Sequence, residues 1–162
     1  MTMPSILCGI DFTSASDEAL RVAVEETKLR NGILDLIHVW YPVDPMAVDM
    51  SGVGFPVYNA ELPAELQQQL EEIEVDIPKE RIRRHLETGS PADRIARKAE
   101  ELHSKLLVVG THSRGPLMRW FVGSIATDLL RISPCPILVC RTPHPKTDHP
   151  SESEQAVDQA SS

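Results

Sequence analysis

The sequence predicts an α/β fold: a three-layer sandwich in which a five-stranded parallel sheet carries helices on both faces. Three observations predict it. Short apolar runs alternate with stretches of helical periodicity, the pattern of successive βαβ units. Helix start and stop signals fall between the runs rather than inside them. A length of 162 residues, 41% of them hydrophobic, suffices for one domain with a substantial core.

Residues 5–10 form an apolar strand that ends at Asp11. Ser14 and Asp17 make a capping box, S-x-x-D, for a helix reaching about residue 30. Its apolar stripe of Ala19, Leu20, Ala23, Val24 and Thr27 recurs at three- and four-residue steps, and Asn31-Gly32 stops it. Residues 33–40 read as the second strand, interrupted only by Asp35 and His38. The Pro- and Gly-rich stretch 41–59 lacks periodicity and reads as a loop or flap. A Glu- and Gln-rich helix is expected over 61–77, then a strand over 81–87 with Ile82, Arg84 and Leu86 on one side.

Gly89-Ser90-Pro91-Ala92-Asp93 opens the next helix, with Ser90 as cap and Pro91 at the first helical position. This helix runs to about residue 103 and turns Ile95, Ala96, Ala99 and Leu102 inward. The fourth strand, 106–109, breaks at Gly110. A further helix begins at Gly123-Ser124, with Ser124 as its cap, and ends at Ser133-Pro134. Residues 136–141 supply the fifth strand. The domain therefore spans 1–142, and 143–162, without an aromatic residue, reads as a disordered tail.

Open parallel sheets bind ligands outside the carboxyl ends of their strands, where the strand order reverses. If the first and fourth strands flank that point, Asp11, Val39-Trp40 and Gly110-Thr111 converge on one crevice. A buried strand, a glycine-bearing loop and a helix N-terminus then follow one another over 106–124, an arrangement that directs backbone N–H groups and the helix dipole at phosphate. Arg114 and Arg119 in that loop supply positive charge, or act as solvated bridges to the acidic surface.

Composition narrows the function. A formal net charge of −8 argues against broad binding of nucleic acid or anionic membranes. No stretch approaches the roughly 20 apolar residues of a membrane span. The start of the chain lacks a signal-peptide pattern, so a cytoplasmic location is expected. Cys8, Cys135 and Cys140 have no metal-ligand spacing and read as buried, reduced thiols. No catalytic motif is present: no G-x-S-x-G elbow, no H-E-x-x-H and no Walker lysine. His112 beside the loop has no sequence partner and reads as a surface histidine rather than a general base. Trp120 and Phe121 are expected to pack on the sheet.

Gly110, two residues, Ser113, nine residues and Gly123-Ser124 reproduce, with Ser for one Gly, the nucleotide-binding spacing of universal stress proteins. Val108-Val109-Gly110-Thr111-His112, Leu117, Arg119 and Ser133-Pro134-Cys135-Pro136-Ile137-Leu138-Val139 also resemble that family, as do Ile6-Leu7, Asp11 and Ile37-His38-Val39. The resemblance covers about residues 4–142 and implies a Rossmann-like sandwich of the adenine nucleotide alpha hydrolase-like type. It implies a stress-response regulatory or sensor protein that binds ATP, with or without Mg, or a related adenine nucleotide. Asp11 would meet the ribose or adenine, and Val39 the adenine through its backbone. Gly110, Ser113, Gly123 and Ser124 would wrap the phosphates, and Ile125 would cover them; Thr111, by its strand-end position, and Arg114, by its charge, are further candidates for the nucleotide site. It also implies a homodimer formed through 136–141.

Two departures bear on this. Ser113 costs about 1–2 kcal/mol if its position needs a positive φ, and Pro116 removes one N–H donor. They support the alternative of a dimeric interaction protein of the same fold that binds no nucleotide. A slow ATPase, with His112 and Asp11 as its candidates, is the other alternative.

Overall fold

The structure, a computed structural model, describes residues 2–48, 54–56, 61–111 and 123–141. Strand β1 (Ser5–Gly9) is paired on both sides, with β2 (Ile33–Trp40) and with β6 (Leu106–Thr111). The edges are β5 (Ile82–Thr88) beyond β2 and β7 (Ile137–Arg141) beyond β6. All four pairings are parallel, and the order β5-β2-β1-β6-β7 reverses direction at β1.

Helix α1 (Ser14–Leu29) covers one face, where Ile6, Cys8, Leu34, Leu36 and Val108 meet Ala19 and Ala23. Helices α3 (Pro91–Glu101) and α4 (Ser124–Ile132) cover the other, where Leu7, Ile37, Leu107 and Val109 meet Ile95, Ala99 and Leu129. The central strands are buried on both faces, which explains their continuous apolar runs. Ile82 and Leu86 pack on the α1 face as the alternation predicts, and Arg84 on the same face donates to the carbonyls of Leu70 and Ile73. Cys8 and Cys140 are buried and Cys135 half-buried, all as free thiols; burial pushes the Cys8 thiol far up and so keeps it protonated.

Several boundaries differ from expectation. Within 41–59 the chain forms β3 (Val43–Val48) and β4 (Gly54–Pro56), an antiparallel pair outside the main sheet. Pro45 falls in the stretch between Asp44 and Val48 where the register shifts, so its missing N–H interrupts no regular ladder, and the pattern reads as loop. Helix α2 is only Ala64–Glu71, because Glu71, Glu72 and Glu74 gather at an end that has no basic residue in its last turn. The α1 box lies one residue earlier than predicted: the Thr13 N–H donates to Ser16 Oγ at 3.2 Å, and that hydroxyl donates to the Thr13 carbonyl at 2.9 Å. Strand β6 runs through Gly110 to Thr111, held by β7 on its far side. Gly123, rather than Ser124, is the N-cap of α4. The 143–162 tail lies outside the described residues.

Asp35 has a fully buried carboxylate toward the amino ends of the strands. It is satisfied by Arg83 Nε and Nη2, each at 2.7 Å, by His85 Nε2 at 2.8 Å and by Ser5 Oγ at 2.7 Å. Burial pushes its pKa up, but the hydrogen bonds from His85, Arg83 and Ser5 outweigh burial and hold it below the usual value. These donors come from β1 and β5, the strands on either side of β2, so the cluster pins their register. Asp35→Ala is expected to cost roughly 3 kcal/mol, the low end for a broken buried pair, because Arg83 can rehydrate. With a depressed folded pKa, Asp35 contributes fully above its unfolded value of about 3.9 and loses that contribution as pH falls through the folded value. In urea denaturation the gap between wild type and Asp35→Ala should therefore stay constant from neutral pH to about pH 5 and narrow below about pH 4.

Candidate functional site

The order reversal at β1 leaves a crevice above the carboxyl ends of β1, β2 and β6. Its floor is Gly9-Ile10, Ile37 to Val39 and Val109-Gly110. Pro91 and Ile95 of α3 and Ile125 of α4 form one wall, and Asp11 and Ser16 stand opposite. The lining is mostly apolar with one carboxylate at the rim, a surface suited to a flat, weakly polar ring system.

Gly110 makes this geometry possible. A Cβ there would lie 2.2 Å from the Ala15 carbonyl oxygen, so only glycine lets the start of α1 close over the end of β6. The turn from β1 to α1 is likewise constrained. Asp11 Oδ1 accepts the Thr13 N–H at 3.0 Å and also the Thr13 hydroxyl, so the carboxylate braces the turn whose end forms the crevice rim. Phe12 between them has φ of +58°, a left-handed conformation costly for a residue with a Cβ. Its ring lies 4.7 Å from that of His38, whose Nδ1–H donates to the Ile10 carbonyl at 2.8 Å. Strain of this kind persists only where its surroundings hold it in place.

Across the crevice, Gly123 caps the start of α4. The Gly123 N–H donates to Thr111 Oγ1 at 2.8 Å, and the first helical bond runs from Thr127 N–H to the Gly123 carbonyl. The amides of Ser124, Ile125 and Ala126 thus precede the helical ladder. No acidic residue occupies this first turn, so the positive end of the α4 dipole faces no carboxylate of its own helix.

Asp11, Val39, Gly110 and Ile125 therefore line one crevice, whereas Trp40 and Thr111, expected to converge there as well, are not in its lining. Ser124 is exposed on the first turn of α4, Gly123 caps that helix, and Thr111 is buried beneath it rather than in the lining. Ser113, Arg114, Pro116 and Arg119, together with His112, Trp120 and Phe121, lie outside the described residues. Sequence reasoning missed Pro91, Ile95 and Ser16 as crevice residues. Their local signals read as helix start, helix stripe and helix first turn, and only the sheet order carries them to the site.

Comparison with known proteins bears on this geometry. The sequence profile of the universal stress protein family matches residues 3–141. A universal stress protein of Mycobacterium tuberculosis is 29% identical over 136 residues, covering 84% of this chain and 44% of that protein. The chain thus spans less than half the length of such relatives. One from Staphylococcus aureus is 26% identical over 143 residues, covering 88% of this chain and 86% of that protein. Among solved structures, a universal stress protein from Archaeoglobus fulgidus superimposes with a TM-score of 0.60 at 20% identity, over 86% of this chain and 99% of its own. Another, solved in complex with cAMP, gives 0.59 at 17% identity over 86% and 98%. A third, from Archaeoglobus fulgidus in complex with dAMP, gives 0.53 at 19% over 85% and 97%.

The strain at Phe12 yields a test. Phe12→Ala keeps the left-handed backbone and loses the ring contact, whereas Phe12→Gly loses the same contact and relaxes the backbone. Phe12→Gly should therefore be about 1 kcal/mol more stable than Phe12→Ala in chemical denaturation, the reverse of the usual ranking of these two residues. A more stable alanine variant would show that the left-handed turn is absent in solution.

Proposed function

The chain belongs to the universal stress protein family, and from that premise we propose that it is a stress-response regulatory module binding ATP or a related adenine nucleotide. One observation carries the reading: an apolar slot at the β1–β6 reversal opens onto the carboxylate-free N-terminus of α4. A purine needs the first and a phosphate chain the second. Relatives of the same fold that bind cAMP and dAMP support the adenine preference.

In this reading the backbone of Val39 meets the adenine, Asp11 takes the ribose or the adenine, and Ile125 covers the phosphates. Gly110, Ser113, Gly123 and Ser124 surround the phosphates, and Arg114 contributes charge. Gly123 does so as a residue without a side chain, since its N–H is engaged by Thr111. The amides of Ser124 and Ile125 then supply the helix-terminal donors. Bound nucleotide orders the segment between β6 and α4, and a partner protein reads the ordered state. A homodimer through β7 completes the proposal. This strand pairs only with β6 among the described residues, and Leu138 on it and Leu130 and Ile132 on α4 are exposed.

Chromatography of small molecules released from gently purified protein is expected to give stoichiometric adenine nucleotide. Melting the emptied protein with ATP at a hundredfold its Kd should raise Tm by about 5–10 °C. An empty preparation that also shows no shift with ATP, AMP, cAMP or dAMP would overturn nucleotide binding and leave the interaction-only reading.

Ser124→Asp separates helix stability from anion binding. A carboxylate in the first turn of α4 should keep or slightly raise the Tm of the empty protein. The same charge should weaken ATP binding by about tenfold or more, as measured by calorimetry.

A further inference from the structure

Thr111 ends β6, opposite Arg141 of β7, and is only 3% exposed. A hydroxyl buried to this degree needs a partner, and among the described residues Thr111 finds one that is distant in sequence. Its Oγ1 accepts the N–H of Gly123, the residue that caps α4. A Cβ on Gly123 would come within 3.3 Å of that same oxygen, so the strand end and the helix cap touch directly. Segment 112–122 therefore leaves and rejoins the described structure at one hydrogen-bonded point.

We infer that Thr111 is a positioning residue of the nucleotide site, anchoring Gly123 and thereby aiming the first-turn amides of α4. This inference rests on the nucleotide-binding reading above. A hydroxyl that accepts from Gly123 places the start of α4 relative to β6, and β6 in turn supplies Gly110 to the crevice floor. The first-turn amides of α4 are thus held in place on folding, so less ordering remains to be done when ligand arrives. Its strand-end position placed Thr111 among the expected crevice residues. The structure leaves it out of the crevice lining and assigns it a different task, holding the start of α4.

The chemistry makes three substitutions informative. Thr111→Val keeps the branched shape that suits the strand and removes the acceptor. Thr111→Ser keeps the acceptor and loses only a methyl group. Thr111→Ala removes the acceptor without the risk of misplacing a methyl group, should the valine variant fold poorly. The readouts are amide hydrogen exchange at Gly123 by NMR in the empty protein and ATP affinity by calorimetry.

The Gly123 amide is expected to be protected in wild type and in Thr111→Ser, and to exchange at least tenfold faster in Thr111→Val and Thr111→Ala. ATP affinity should fall about tenfold in the variants lacking the hydroxyl and stay within about twofold of wild type in Thr111→Ser. Equal exchange at Gly123 in wild type and Thr111→Val would overturn the anchor. A released Gly123 amide with ATP affinity unchanged, or a serine variant as weak as the valine one, would overturn the positioning role. Failure of wild type to bind any adenine nucleotide would instead overturn the functional reading and the positioning role with it. Gly123 protection would still report on the anchor itself.

Discussion

Strand β1 is the constraint on which the rest of the molecule depends. It pairs in parallel on both sides, its side chains from Ser5 to Cys8 are buried, and the chain order reverses across it. Parallel pairing obliges each crossover to return over a face of the sheet, so both faces gain helices. The reversal sends α1 to one face and α3 and α4 to the other, and their starts diverge above the end of β1. The crevice is the space left by that divergence. It needs no special residue to exist, only to be shaped.

The shaping comes from a few close contacts. Gly110 admits the α1 backbone to a distance that no side chain would tolerate. The left-handed Phe12, braced by Asp11, Thr13 and His38, turns the chain from the end of β1 into α1 within a few residues. Thr111 ties the opposite lip to β6. Each device uses backbone geometry or a hydrogen bond rather than apolar packing, while the apolar floor and wall of the crevice, Ile37, Val109 and Ile95, belong to the core itself.

At the other end of the sheet, Asp35 shows the opposite use of polarity. Its carboxylate is as buried as its leucine neighbours and is tolerated because Arg83, His85 and Ser5 satisfy it. An apolar residue could fill that space. What the ionic cluster adds is a defined register among β1, β2 and β5, since a one-residue slip would strand a charge in the core. The end of β2 at Val39 is located relative to β1 by the same register.

The sequence by itself determined the features that are local. The periodicity of α1 and α3, the start signal at Ser90-Pro91, the apolar runs of the central strands and the glycine spacing from Gly110 to Gly123 all depend on residues within a few turns of each other. Asp11, Val39 and Gly110 were recognisable as neighbours in one crevice through their strand-end positions, and Ile125 through the family resemblance alone. Boundaries failed where tertiary contacts outweigh local preference: the α1 box moved to Thr13 because of the turn at Phe12, and β6 passed through Gly110 because β7 pairs with it. The β3–β4 pair was hidden because Pro45 sits where the ladder is already irregular. Only the tertiary structure decided the strand order, the entry of Pro91, Ile95 and Ser16 into the crevice, and the bond from Thr111 to Gly123. Those depend on which distant segments share a sheet edge or a helix face, and a pattern of short-range periodicities is the same whichever neighbours the chain selects.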